Sequence, residues 1–76
     1  MNNHPRITRN PKIMGGKACV RGMRLTVGAI VGLLAAGHSH AEILEQYPEL
    51  EDDDIKAALS YAAAVSSDYE VELEPA

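Results

Sequence analysis

The stretch Thr26-Val27-Gly28-Ala29-Ile30-Val31-Gly32-Leu33-Leu34-Ala35-Ala36-Gly37 decides the fold, because here short runs between turns give way to a helical period. Val27, Ile30, Val31 and Leu34 recur at i, i+3, i+4 and i+7, which lines one face of a helix. Thr26 stands where an N-cap hydroxyl is wanted and Gly37 where a helix turns left-handed after its end. The spacing predicts a helix over residues 27–36.

Downstream, Ser39 and Glu42 form a capping-box pattern, Ile43, Leu44 and Tyr47 supply apolar contacts, and Pro48 stops a second helix of about two turns. Glu51-Asp52-Asp53-Asp54 then puts negative charge on the positive end of a third helix, predicted over 52–66. Its expected apolar stripe is Ile55, Ala58, Leu59, Ala62 and Val65. The remaining face (Lys56, Ala57, Ser60, Ala63, Ala64) is small and nearly uncharged, which suits close packing by a subunit or partner as well as a plain solvated surface.

Upstream, Arg6 to Thr26 is punctuated by Asn10-Pro11, Gly15-Gly16 and Arg21-Gly22, with β-favouring pairs between them. Short strands are expected at Ile7-Thr8, Ile13-Met14, Cys19-Val20 and Met23-Arg24-Leu25, with Gly22 in a hairpin turn that needs positive φ. At the other end, Asp68, Glu70, Glu72 and Glu74 alternate with Tyr69, Val71 and Leu73. That period reads either as a strand with one acidic and one apolar face or as a disordered acidic segment. The whole is expected to be one mainly α domain: a basic β arm (6–26), a three-helix unit (27–66) and an acidic tail (67–76).

The chain has 76 residues, no Phe, no Trp and one Cys. A core of Leu, Ile, Val, Met and Ala in so short a chain is near the limit of independent stability, so a homodimer is expected. The lone Cys19 excludes an internal disulfide and fits a reducing cytoplasm, packing as a small apolar residue. The longest apolar stretch, Val27 to Ala36, falls short of a membrane span, and Met1-Asn2-Asn3-His4-Pro5-Arg6 lacks the apolar centre of a signal peptide. Cytoplasmic residence, with no membrane, is the expectation.

Charge is sharply divided: residues 1–26 carry +6 and residues 27–76 carry −10, which together make the net −4. Such a split points to a protein that meets something anionic with one end. Three helices at this spacing match a helix-turn-helix unit of homeodomain-like or winged-helix-like form, whose last helix normally reads DNA. Here that helix opens with four carboxylates, which repel phosphate. The nucleic-acid candidates are therefore the arm residues Arg6, Arg9, Lys12, Lys17, Arg21 and Arg24. For Arg21 and Arg24, beside the Gly22 turn, the rival reading is a structural pairing with the acidic half of the dimer.

Other chemistries are not supported. Gly15-Gly16-Lys17 lacks the earlier glycine, the Ser or Thr after lysine and the following helix of a phosphate loop. His38 and His40 have no third or fourth ligand at metal spacing, and residues 51–54 lack the pattern of a calcium loop. No nucleophile with a paired base is visible, so neither an enzyme nor a cofactor is expected.

The run Arg6-Ile7-Thr8…Asn10-Pro11…Ile13…Gly15-Gly16-Lys17…Val20-Arg21-Gly22…Arg24-Leu25, then Leu33-Leu34-Ala35-Ala36-Gly37, Glu42-Ile43-Leu44…Tyr47-Pro48…Leu50 and Asp54-Ile55…Ala57-Ala58-Leu59…Tyr61-Ala62, resembles domain-of-unknown-function family 433 (DUF433). The resemblance covers about residues 6–64. It departs from the family pattern at Ala18 (usually proline), at Met23 (usually threonine) and at Ser39-His40-Ala41-Glu42 (usually Ser-Pro-Glu-Glu). It implies a small helix-turn-helix protein similar to VapB-like antitoxins of type II toxin–antitoxin systems, which neutralise a PIN-like ribonuclease toxin and repress their own operons. On that expectation the helices form a homodimer, the arm contacts DNA, and Tyr69, Val71, Leu73, Glu70 and Glu72 engage the toxin. The alternatives are a stand-alone helix-turn-helix transcriptional regulator and a structural dimerisation module without nucleic-acid binding.

Overall fold

A computed structural model describes residues 4–66. The elements, in chain order, are β1 (Ile7–Thr8), a 3-10 turn (Met14–Gly16), β2 (Cys19–Val20), α1 (Val27–Ala35), α2 (His40–Gln46) and α3 (Asp52–Ser66). The result is a mainly helical domain with a short antiparallel ribbon at its N-terminal side.

Each helix begins and ends for a local reason. The Thr26 hydroxyl accepts from the Ala29 amide at 3.0 Å, capping α1. At its other end Gly37 takes φ +100, which lets its amide reach the Leu34 carbonyl at 3.0 Å and lets the His38 amide reach Leu33 at 3.1 Å. Those two bonds are the Schellman pattern, which satisfies carbonyls that the helix leaves open. The capping box of α2 is complete: Glu42 N–H donates to Ser39 Oγ at 3.1 Å, and Ser39 N–H donates to Glu42 Oε1 at 2.8 Å.

In the ribbon, Ile7 pairs with Val20 and Thr8 with Cys19. Two expectations change here. Ile13-Met14 is no strand: Asn10 Oδ1 accepts from the Lys12 amide at 2.8 Å, and Met14, Gly15 and Gly16 follow at φ 51, 67 and 84. The asparagine bond starts a turn, and left-handed backbone cannot continue a ladder. Met23-Arg24-Leu25 also forms no full strand, since pairing there is limited to a bridge between Cys19 and Thr26 and a bond from the Val20 amide to the Leu25 carbonyl. The intervening turn is closed by Met23 N–H to the Val20 carbonyl at 2.7 Å, with Arg21 at φ 45 and Gly22 at φ 74. Two central residues at positive φ are the signature of primed hairpin turns.

The core is the place where ribbon and helices meet: Ile7, Val20, Val27, Ile30, Ile43, Leu50, Ile55 and Ala58 are buried together. Cys19, 2% exposed, packs at its edge as an apolar residue. The inward stripe of α3 differs from the expected one. Leu59 and Val65 are 40% and 61% exposed, while Asp54 is fully buried and Tyr61 and Ala62 pack against the core. Positions 54, 58 and 61 lie on one helical face, which turns Leu59 outward; Val65, four residues after Tyr61, shares that face and is exposed in the last turn of the helix.

Candidate nucleic-acid interface

The six basic residues of the arm fall into two sets, separated by whether an acidic side chain holds them. Arg6 precedes β1 and Arg21 follows β2, and the antiparallel register brings them side by side, the Arg21 amide donating to the Arg6 carbonyl at 2.8 Å. Both guanidinium groups reach the start of α3. Arg6 Nη1 donates to Glu51 Oε1 at 2.7 Å and to Asp54 Oδ1 at 2.8 Å, and its Nη2 lies 3.9 Å from Asp53. Arg21 holds Asp54 in a two-pronged grip, Nε to Oδ1 at 3.0 Å and Nη2 to Oδ2 at 2.8 Å, and Nη2 also donates to the Glu49 carbonyl at 2.9 Å. Planar fork-to-carboxylate pairing of this kind is the strongest form of the charged hydrogen bond.

Asp54 completes its shell with the Glu51 amide, which donates to Oδ2 at 2.9 Å. The carboxylate therefore caps its own helix while it receives two arginines. Burial pushes its carboxyl up, but hydrogen bonds from Arg21, the Glu51 amide and Arg6 outweigh that and hold it at about 2. The reciprocal effect raises both guanidinium groups: Arg6 through its bonds to Glu51 and Asp54, Arg21 through its bond to Asp54. Elsewhere on the acidic start of α3, Asp52 accepts from His40 at 2.9 Å and lies 3.5 Å from Lys56. The His40 bond, helped by Lys56, holds the Asp52 carboxyl below its ordinary value.

The second set faces solvent. Arg9, Lys12, Lys17 and Arg24 are exposed. Arg9 donates through Nε to the Gly16 carbonyl at 3.1 Å, a neutral acceptor that clamps the 9–17 loop and leaves the guanidinium charge uncompensated. The side chains of Lys12, Lys17 and Arg24 have no hydrogen-bond or ion-pair partner among the described residues. Of the residues named from sequence, Arg6 and Arg21 thus meet on a buried carboxylate, whereas Arg9, Lys12, Lys17 and Arg24 present free charge. Tyr69, Glu70, Val71, Glu72 and Leu73 lie outside the described residues.

Asp54 is the residue that sequence reasoning missed as an organiser. A signal was present, since it stands at helical spacing from Ala58 and Tyr61, yet its charge placed it with the solvated acids. Among the described residues, no group of three or more His, Cys, Asp or Glu is placed to hold a metal ion. No helix there is long and apolar enough to cross a membrane.

A three-helix domain whose basic ribbon is riveted to an acidic helix start is the class that this geometry defines. The chain belongs to the family described as "Protein of unknown function (DUF433)", whose model matches residues 7–62. A crystal structure of a DUF433 member from Anabaena variabilis superposes with a TM-score of 0.77 at 31% identity, covering 82% of this chain and 61% of that one. The chain is also 41% identical over 58 residues to uncharacterized protein y4eO of Sinorhizobium fredii, a match covering 76% of this chain. It spans 26% of that relative's length.

Proposed function

We propose that this chain is an antitoxin-like DNA-binding protein of a type II toxin–antitoxin system, acting as a homodimer in the cytoplasm. Its DNA contact is the outer face of the β arm. The observation that carries this reading is the set of four exposed cations, Arg9, Lys12, Lys17 and Arg24, left without a charged partner among the described residues after Arg6 and Arg21 are committed to Asp54. Phosphate affinity grows with the number of cations free to displace counterions, so these four supply it and the inner pair does not. The α2–α3 unit has the order of a helix-turn-helix, but its last helix begins with carboxylates already held by arginine and histidine. It serves to carry the arm. The acidic segment with Tyr69, Val71, Leu73, Glu70 and Glu72 is assigned to a PIN-like ribonuclease toxin, whose cationic substrate groove an acidic, partly apolar strand complements.

A gel-shift titration at two salt concentrations tests the arm. Affinity is expected to fall steeply with salt, and each of Lys17→Ala and Arg24→Ala to flatten the log–log slope by about 1. Binding that ignores both substitutions would sink the assignment of the outer face. Co-expression with a PIN-like nuclease tests the rest: rescue of growth that survives Tyr69→Ser, Val71→Ser and Leu73→Ser together removes the tail from the toxin contact.

A further inference from the structure

Three large hydrophobic side chains are exposed among the described residues, and Met14, at 40%, is the one carried by the β arm. It lies outside the apolar cluster that the ribbon and helices share. In sequence it stands between the exposed cations Lys12 and Lys17. Its backbone sits at φ 51, followed by Gly15 at φ 67 and Gly16 at φ 84. Left-handed backbone is disfavoured for a residue with a Cβ and persists only where the surroundings impose it. Here they do. Ile13 N–H donates to the Asn10 carbonyl at 2.8 Å, Gly16 N–H to the Ile13 carbonyl at 3.0 Å and Lys17 N–H to the Met14 carbonyl at 3.3 Å. Arg9 Nε closes the loop on the Gly16 carbonyl at 3.1 Å. The loop thus holds an apolar side chain in water, in an unfavourable backbone conformation, in the middle of a cationic surface.

We propose that Met14 is a wedge that enters the minor groove of duplex DNA, parts two stacked base pairs and bends the duplex. This rests on the reading of the arm as the DNA contact and adds what its cations alone do not do. Phosphate attraction brings the arm to any duplex. A flexible, unbranched thioether is among the side chains that minor-groove proteins insert at a base step, kinking the helix toward the major groove. Lys12 and Lys17 then supply phosphate contacts to either side of the inserted residue. A wedge works only when the loop behind it does not yield, which the bonds across residues 9–17 secure. Pyrimidine–purine steps unstack most readily, so the chain prefers them without reading a base edge.

The test compares the full chain with Met14→Gly, which suits positive φ, and with Met14→Leu, which keeps the apolar bulk. Each is titrated at two salt concentrations into fragments that carry one TA step at permuted positions, and the bend is read from gel mobility. The full chain and Met14→Leu are expected to bend the duplex by about 20–90°. Met14→Gly should bind about tenfold more weakly, without the bend, at an unchanged log–log salt slope. Denaturation midpoints should match across the three proteins, since Met14 lies outside the core. A full chain that binds without bending, or a Met14→Gly variant that bends as the full chain does, overturns the wedge and leaves the arm's DNA contact standing. A salt slope that drops in Met14→Gly makes Met14 a support for the cationic loop and overturns the wedge too. A full chain that retards no duplex at either salt removes the DNA reading and the wedge together.

Discussion

Arg6 and Arg21, held by acids, and Arg9, Lys12, Lys17 and Arg24, held by none among the described residues, are the same residue types within one short arm, yet they do opposite things. The inner pair converges on a fully buried carboxylate and closes the arm onto α3. The outer four leave their charge in water. A charge count along the chain treats all six alike; the fold separates them by bringing Arg6 and Arg21, adjacent across the ribbon, to the start of α3.

The sharpest way to break this contrast is Asp54→Ala, which strands both inner arginines and removes the cap on the Glu51 amide. A loss of about 3 kcal/mol in folding stability is expected by denaturant titration, toward the low end for a broken buried pair because both guanidinium groups are partly solvated. A double variant with Arg21→Ala should cost little more than Asp54→Ala alone, since both remove the same contact. Acid probes the same carboxylate without mutation. Its folded value of about 2 lies below the ordinary 3.8, so it stabilises the fold above pH 3.8 and that contribution disappears as pH falls toward 2. The expected loss is about 2 kcal/mol, read as a falling denaturation midpoint, and it should be absent in Asp54→Asn. A midpoint that falls equally in both proteins would place the acid sensitivity elsewhere.

Gly22→Ala acts one step further back, on the turn that aims Arg21 inward. Nothing lies within 4 Å of a Cβ built there, so the expected cost of about 1 kcal/mol comes from backbone at φ +74 and not from collision. The smallest effect belongs to the outer set: Lys17→Ala and Arg24→Ala should leave the denaturation midpoint in place while weakening DNA binding. A stability loss there comparable to that of Asp54→Ala would erase the distinction between the two faces.

The helices were legible because their instructions are local. Thr26, Gly37, Ser39, Glu42 and Pro48 each act within a few residues of themselves, and the observed ends of α1, α2 and α3 lie within a residue or so of those expected. Structural pairing of Arg21 with acids stood open as a reading, but Asp54 as its partner and the part of Arg6 were hidden, because these contacts span 33 and 48 residues of chain, where no period or cap connects them. Leu59 and Val65 were assigned inward by hydrophobicity, but the face that buries Asp54 turns Leu59 outward, and Val65 lies in the last turn of α3, where it is 61% exposed. Ile13-Met14 has strand-forming side chains, but the asparagine before it and the glycines after it dictate a turn. In each case a long-range or backbone constraint overrode the side-chain preference.

Cys19 sits at the seam between ribbon and helix α1, 2% exposed, bridged to Thr26 and paired with Thr8. It is the chain's one thiol. A thiol reagent can reach it when that seam parts, so its alkylation rate is a native clock for arm opening, readable by mass spectrometry without any introduced label. Run beside Asp54→Ala, that clock separates an arm that lifts off an intact helical body from a molecule that comes apart all at once.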